Sequence, residues 1–88
     1  MPALFIEGEV RWKMAAGPET IEARVSATAL HLLRATPLPS YLEVFEENRA
    51  MLNRVARSKF LETGGDVHTP ITLDRGDLAP FAGMNNLG

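Results

Sequence analysis

Four arrangements of side chains in this sequence could do chemistry. Asn48 and Arg49 are adjacent, and at helical spacing they fall in or beside an otherwise apolar face, where an amide and a guanidinium could hold a small polar ligand. The other reading of Asn48 is a buried amide hydrogen-bonded to backbone, the commoner fate, because leaving such a group unpaired costs about 1 to 3 kcal/mol. Arg49 has a local partner in Glu46, three residues earlier. Arg11, Lys13 and Arg24, with Trp12 among them, have the composition of a single-stranded nucleic-acid platform: cations for phosphates and an indole for stacking. Asp66, His68, Asp74 and Asp77 carry metal-ligating groups, but their spacing matches no ligand motif. His31 has no second ligand three or four residues away and reads as a partly buried packing residue.

Motifs for covalent or cofactor chemistry are missing from the sequence. There is no Gly-rich phosphate loop, no Gly-x-Ser-x-Gly elbow and no paired histidine motif, so no cofactor is implied and an enzyme is the least supported class. With 88 residues and no cysteine, the chain is expected to form one small domain held by packing alone. A net charge of −2 and a pI near 5.6 argue against broad affinity for nucleic acid or anionic membrane. The start of the chain lacks the pattern of a secretory signal, and no apolar stretch approaches the roughly 20 residues that span a bilayer, so the expected location is cytoplasmic.

The elements that must position these groups are legible from period and punctuation. Ser40 to Thr63 reads as one long amphipathic helix, opened by a Ser40-x-x-Glu43 capping box and closed at Gly64-Gly65. At about 100° per residue, Tyr41, Leu42, Val44, Phe45, Met51, Leu52, Val55, Ala56 and Phe60 gather on one half, with Asn48 and Lys59 intruding. Lys59 is in the last turn, where it can snorkel toward the negative end of the helix. Ahead of it, Glu9–Met14 and Thr20–Val25 alternate around a Gly17-Pro18 turn. Val10, Trp12, Met14, Ile21, Ala23 and Val25 are expected inward, with Arg11, Lys13 and Arg24 outward beside Glu9 and Glu22. That alternation places Trp12 opposite the cations and counts against stacking.

Leu4 to Ile6 reads as a brief strand or an arm on the core, and Ser26 as the cap of a short helix through Arg34 with an Ala27, Leu30, Leu33 stripe. Pro37 and Pro39 stop that helix, His68 to Leu73 gives a last strand, and Asp74 caps a turn through Leu78. The expected architecture is α+β: an antiparallel sheet of three to four strands with a short helix and one long helix on one face. The domain spans 1–78, and 79–88 is expected to be a flexible tail.

The stretches VRWKM, IEARVSATAL, EVFEENRAMLNRVARSKF and ITLDRGDL resemble the bacterial family known as domain of unknown function 1488. Its pattern is a hairpin, an I-S-x-x-A-L-like helix start, an F-x-x-N-R helix and a closing strand ending in D-L. The likeness runs from about Val10 to Leu78 and makes Ser26, Leu30, Phe45, Asn48, Arg49, Asp77 and Leu78 motif positions. The connection RATPLPS is shorter than is usual there, and the resemblance implies no activity. The function classes left are an interaction or regulatory protein, single-stranded nucleic-acid binding through Arg11 and Arg24, and a small-ligand site at Asn48 and Arg49. The apolar arc is wider than one small sheet covers, so a homodimer along the Val44 and Met51 edge is expected.

Overall fold

A computed structural model describes residues 3–33, 40–65 and 68–81. In chain order the elements are β1 (Leu4–Ile6), β2 (Glu9–Ala16), β3 (Glu19–Ser26), α1 (Ala27–Leu33), α2 (Tyr41–Glu47), α3 (Arg49–Glu62), β4 (Ile71–Leu73) and α4 (Arg75–Leu78). A single 3-10 turn, Ala79–Phe81, follows, and Phe81 packs against the core. The strands form one sheet in the order β1-β2-β3-β4. The expected α+β class is what the chain adopts. The first three strands pair antiparallel, while β4 joins β3 in parallel, because the helices between them carry the chain back across the sheet. Pro37, Pro39, Asp66 and the tail beyond Phe81 lie outside the described residues, as does the expected helix end at Arg34.

Alternation sets the two hairpins. Val10, Trp12, Met14, Ile21, Ala23 and Val25 are buried beneath the helices, as their period of two requires. Gly17 has φ +64 and is followed by proline, whose φ is fixed negative, the order of signs that a type II′ turn needs. At the β1–β2 turn both Glu7 (φ 51) and Gly8 (φ 77) are left-handed, the type I′ signature. Glycine tolerates this freely. Glu7 does so at a strain of about 1 to 2 kcal/mol.

The helix read as continuous from Ser40 to Thr63 is broken. Asn48 (φ −118, ψ 12) separates α2 from α3. Its N–H turns to the Phe45 and Glu46 carbonyls, and its side-chain Nδ2 donates to the Val44 carbonyl at 2.8 Å. The amide thus supplies the bond that a continuous helix would have made through backbone, the competition for which asparagine is known. The Gly64-Gly65 end matches the expectation, and at Ser40 one bond of the expected capping box is formed. Ser40 Oγ accepts the Glu43 N–H at 3.0 Å. Gly64 and Gly65 donate to Leu61 and Phe60 in a Schellman closure, with φ +94 and +73.

The break redirects the apolar arc. α2 lies beside β1, β2 and α1, whereas α3 lies along β4. Val44, Phe45, Leu52, Ala56 and Phe60 are buried, Tyr41, Met51 and Val55 are half-buried, and Leu42 is exposed. Val44 is fully covered within the chain, so the expected dimer edge has no Val44 to contribute. In α1, Ala29 joins Leu30 and Leu33 in the core in place of the expected Ala27.

At the centre lies Trp12, 2% exposed, its ring 4.7 Å from that of Phe45 and its Nε1–H donating to Asn53 Oδ1 at 2.7 Å. Asn53 is half-buried because it satisfies this indole. Asn53→Ala should lower stability by about 1 to 3 kcal/mol by leaving the N–H unpaired. Urea unfolding checks this, and in a Trp12→Phe background, where no N–H is left behind, the same substitution should lose much less.

Candidate functional site

The residues singled out in the sequence, Asp66 excepted, lie among the described ones. Asn48 is half-buried and bonded to backbone as expected, though to the Val44 carbonyl of its own helix rather than to a neighbouring loop. Arg49 pairs with Glu46, and its guanidinium carbon lies 4.8 Å from the centre of the Phe45 ring. That hydrogen bond, together with the guanidinium charge, holds the Glu46 carboxyl below the ordinary glutamate range. Phe45, Asn48 and Arg49 are therefore the parts of one helix junction: Asn48 makes the break, and Arg49 on α3 grips Glu46 and Phe45 on α2. Asn48 Nδ2 and Arg49 Nε and Nη2 are thus engaged within the chain.

Arg11 and Arg24 are directly opposite each other on the outer sheet face, away from Asn48 and Arg49. Like charges facing across a ladder repel, and the carboxylates around them offset this. Arg11 contacts Glu9 at 3.1 Å and Glu7 at 3.4 Å, while Arg24 pairs with Glu22 and lies 3.6 Å from Glu9. Trp12 is on the other face, buried, and cannot stack on a base from there. His31 is exposed rather than partly buried, because its ring stands off the core edge-on to Tyr41, with Nε2 2.9 Å from the phenol oxygen.

Lys59, the second intruder in the apolar arc, closes one margin of the sheet. Its Nζ donates to the Thr72 carbonyl of β4 at 2.6 Å and to Asp77 Oδ2 at 2.7 Å. Asp77 also accepts the Asp74 N–H, and Asp74 Oδ1 accepts the Asp77 N–H, a complete capping box for α4. Of the four residues first considered for a metal, Asp74 and Asp77 are thus held in a helix cap, and Asp66 is outside the described residues. Among the described residues no group of three or more His, Cys, Asp or Glu side chains could hold a metal ion. Nor is any described helix long and apolar enough to cross a membrane.

The opposite margin is built differently. β1 carries Leu4, Phe5 and Ile6, which are 58%, 42% and 36% exposed. Pairing with β2 places Leu4 and Ile6 on the outer face with Arg11 and Glu9, and Phe5 on the helix side, where its ring stacks on Tyr41 at 4.9 Å. The two-residue turn makes Ile6 and Glu9 a hydrogen-bonded pair, so Phe5 opposite Val10 is non-hydrogen-bonded. The Phe5 N–H and C=O therefore point away from the sheet. A strand edge without charge, proline or bulge is what proteins ordinarily avoid exposing. Sequence reasoning placed this strand but had no signal for its exposure beyond the unbroken apolar run Leu4-Phe5-Ile6. Searches of protein-family models, curated proteins and solved structures found no match to this chain.

The Lys59 contact has a pH signature. Burial pushes the Asp77 carboxyl up, but the Lys59 hydrogen bond, the Asp74 N–H and the Lys59 charge outweigh it, and the net shift is downward. The unfolded carboxyl titrates near ~3.9, so the resulting stabilisation is present above that pH and lost as pH falls through the lower folded value. Lys59→Met should lower stability at neutral pH by about 1 to 3 kcal/mol. In urea titrations the gap from the wild type should shrink below about pH 4; a gap constant down to acid pH would contradict this.

Proposed function

We propose that this chain is a small cytoplasmic interaction or regulatory module that engages another polypeptide by strand addition along β1. The observation that carries the reading is the exposed apolar edge Leu4-Phe5-Ile6, with the Phe5 backbone groups directed outward. In strand addition the backbone bonds supply affinity, and alternate side chains supply specificity. Here Leu4 and Ile6 would be read on one face and Phe5, backed by Tyr41, on the other. The contrast with β4 supports the reading, since there a lysine and a helix cap occupy the margin.

Membership in the domain of unknown function 1488 family is part of the same proposal. It rests on the sequence likeness alone, whose motif residues Phe45, Asn48 and Arg49 meet at the helix junction. Nucleic-acid binding through Arg11 and Arg24 is the weaker reading, because both guanidinium groups are paired with carboxylates and the indole is buried. A small-ligand site at Asn48 and Arg49 is weaker too, given how both side chains are engaged.

Placing a photo-crosslinking residue at Leu4 tests the module directly in the cytoplasm of the native host. Covalent adducts to a polypeptide are expected from position 4. Position 61, on the last turn of α3 and exposed as well, should give few. Equal or absent adducts at the two positions would remove the basis for the proposal.

A further inference from the structure

The β1 edge is self-complementary, and we infer that its occupant is a second copy of this chain, joined about a two-fold axis at Phe5 into one continuous eight-stranded sheet. This rests on the strand-addition reading above and adds the identity of the partner. Phe5 is the one residue of β1 whose N–H and C=O both face outward, so Phe5 opposite Phe5 of the second copy exchanges two hydrogen bonds. Leu4 then lies opposite Ile6 of the second copy, as a non-hydrogen-bonded pair, the geometry in which side chains approach most closely. Two such Leu–Ile pairs form, one on each side of the axis. On the helix side the stacked Phe5 and Tyr41 rings of the two copies make a continuous aromatic row.

Charge fits the same register. Leu4 is flanked by Arg11 on its own sheet, and Ile6 by Glu9. Across the axis each apolar pair is therefore bracketed by Arg11 of one copy and Glu9 of the other, opposite in sign, and this happens twice. The strained Glu7 of one copy is four residues along the strand from its symmetry mate, about 14 Å at 3.4 Å per residue. That exceeds the screening length of roughly 8 Å at physiological salt, so the two carboxylates do not repel appreciably. A three-residue edge falls in the size class of weak, transient complexes, below the ~1,200 Å² of stable ones, and a dissociation constant in the micromolar range is expected.

Sedimentation equilibrium on the full chain, at roughly 5 to 500 μM to bracket that range, is the first measurement. A monomer–dimer equilibrium is expected. The double variant Leu4→Lys, Ile6→Lys should be monomeric throughout, with unchanged circular dichroism and melting temperature because both side chains are already exposed. The register is read by oxidation: Leu4→Cys protein mixed with Ile6→Cys protein should form more mixed disulfide than either forms alone. A wild type that stays monomeric, or a double variant that still dimerises, would overturn the second copy as occupant. If position 4 crosslinks in cells to a different polypeptide while the pure chain is monomeric, strand addition stands and self-pairing falls.

Discussion

Everything in this molecule follows from covering one face of a small twisted sheet with a helical layer that has to reach both of its margins. A straight helix from Ser40 to Thr63 would follow a single line across four strands. The break at Asn48 turns one helix into two, so that α2 lies over β1 and β2 while α3 runs along β4. The side-chain amide makes the break tolerable, because it satisfies the Val44 carbonyl that the missing backbone bond would leave open. Arg49 then ties the halves together through Glu46 and Phe45. Phe45 in turn packs on Trp12, so the junction is fixed to the centre of the sheet.

Two polar side chains of α3 connect the layers. Asn53 accepts the buried Trp12 N–H, and Lys59 reaches from α3 to β4 and the Asp77 cap. Neither serves solvent. Asn53 links α3 to β2 in the middle of the sheet, and Lys59 links it to the β4 margin. The two margins end up unlike: the β4 side is closed by charge, and the β1 side is left apolar, with backbone groups turned outward.

Much of the fold was legible because it is written in local chemistry. Alternation fixed which side of each hairpin strand is buried, and Ser26, Ser40, Asp74 and the Gly64-Gly65 pair marked helix ends through bonds made within a few residues. The misreading of the long helix has one cause. A wheel at constant pitch carries its phase through Asn48, so it could not register the break and left Val44 at an exposed edge when α2 in fact turns it inward. The parallel sense of β4 was equally hidden, since alternation within a strand is the same for either direction. The candidate site was the least legible part. Asn48 and Arg49 were singled out for being polar on an apolar face, and they meet at the helix junction; Arg11 and Arg24 were located on the outer face, and their carboxylate partners lie two or four residues away in sequence except for the Arg24–Glu9 contact, which depends on pairing register.

The central claim is that the Phe5 backbone is an open edge waiting for a strand. Amide hydrogen exchange at Phe5, followed residue by residue as protein concentration is raised, addresses it most directly. Fast exchange in dilute solution and growing protection with concentration are expected, while the neighbouring Ile6 amide, already bonded to β2, stays protected throughout. Fast exchange at Phe5 at every concentration would contradict pairing between copies, and protection already complete in the dilute monomer would contradict the open edge itself.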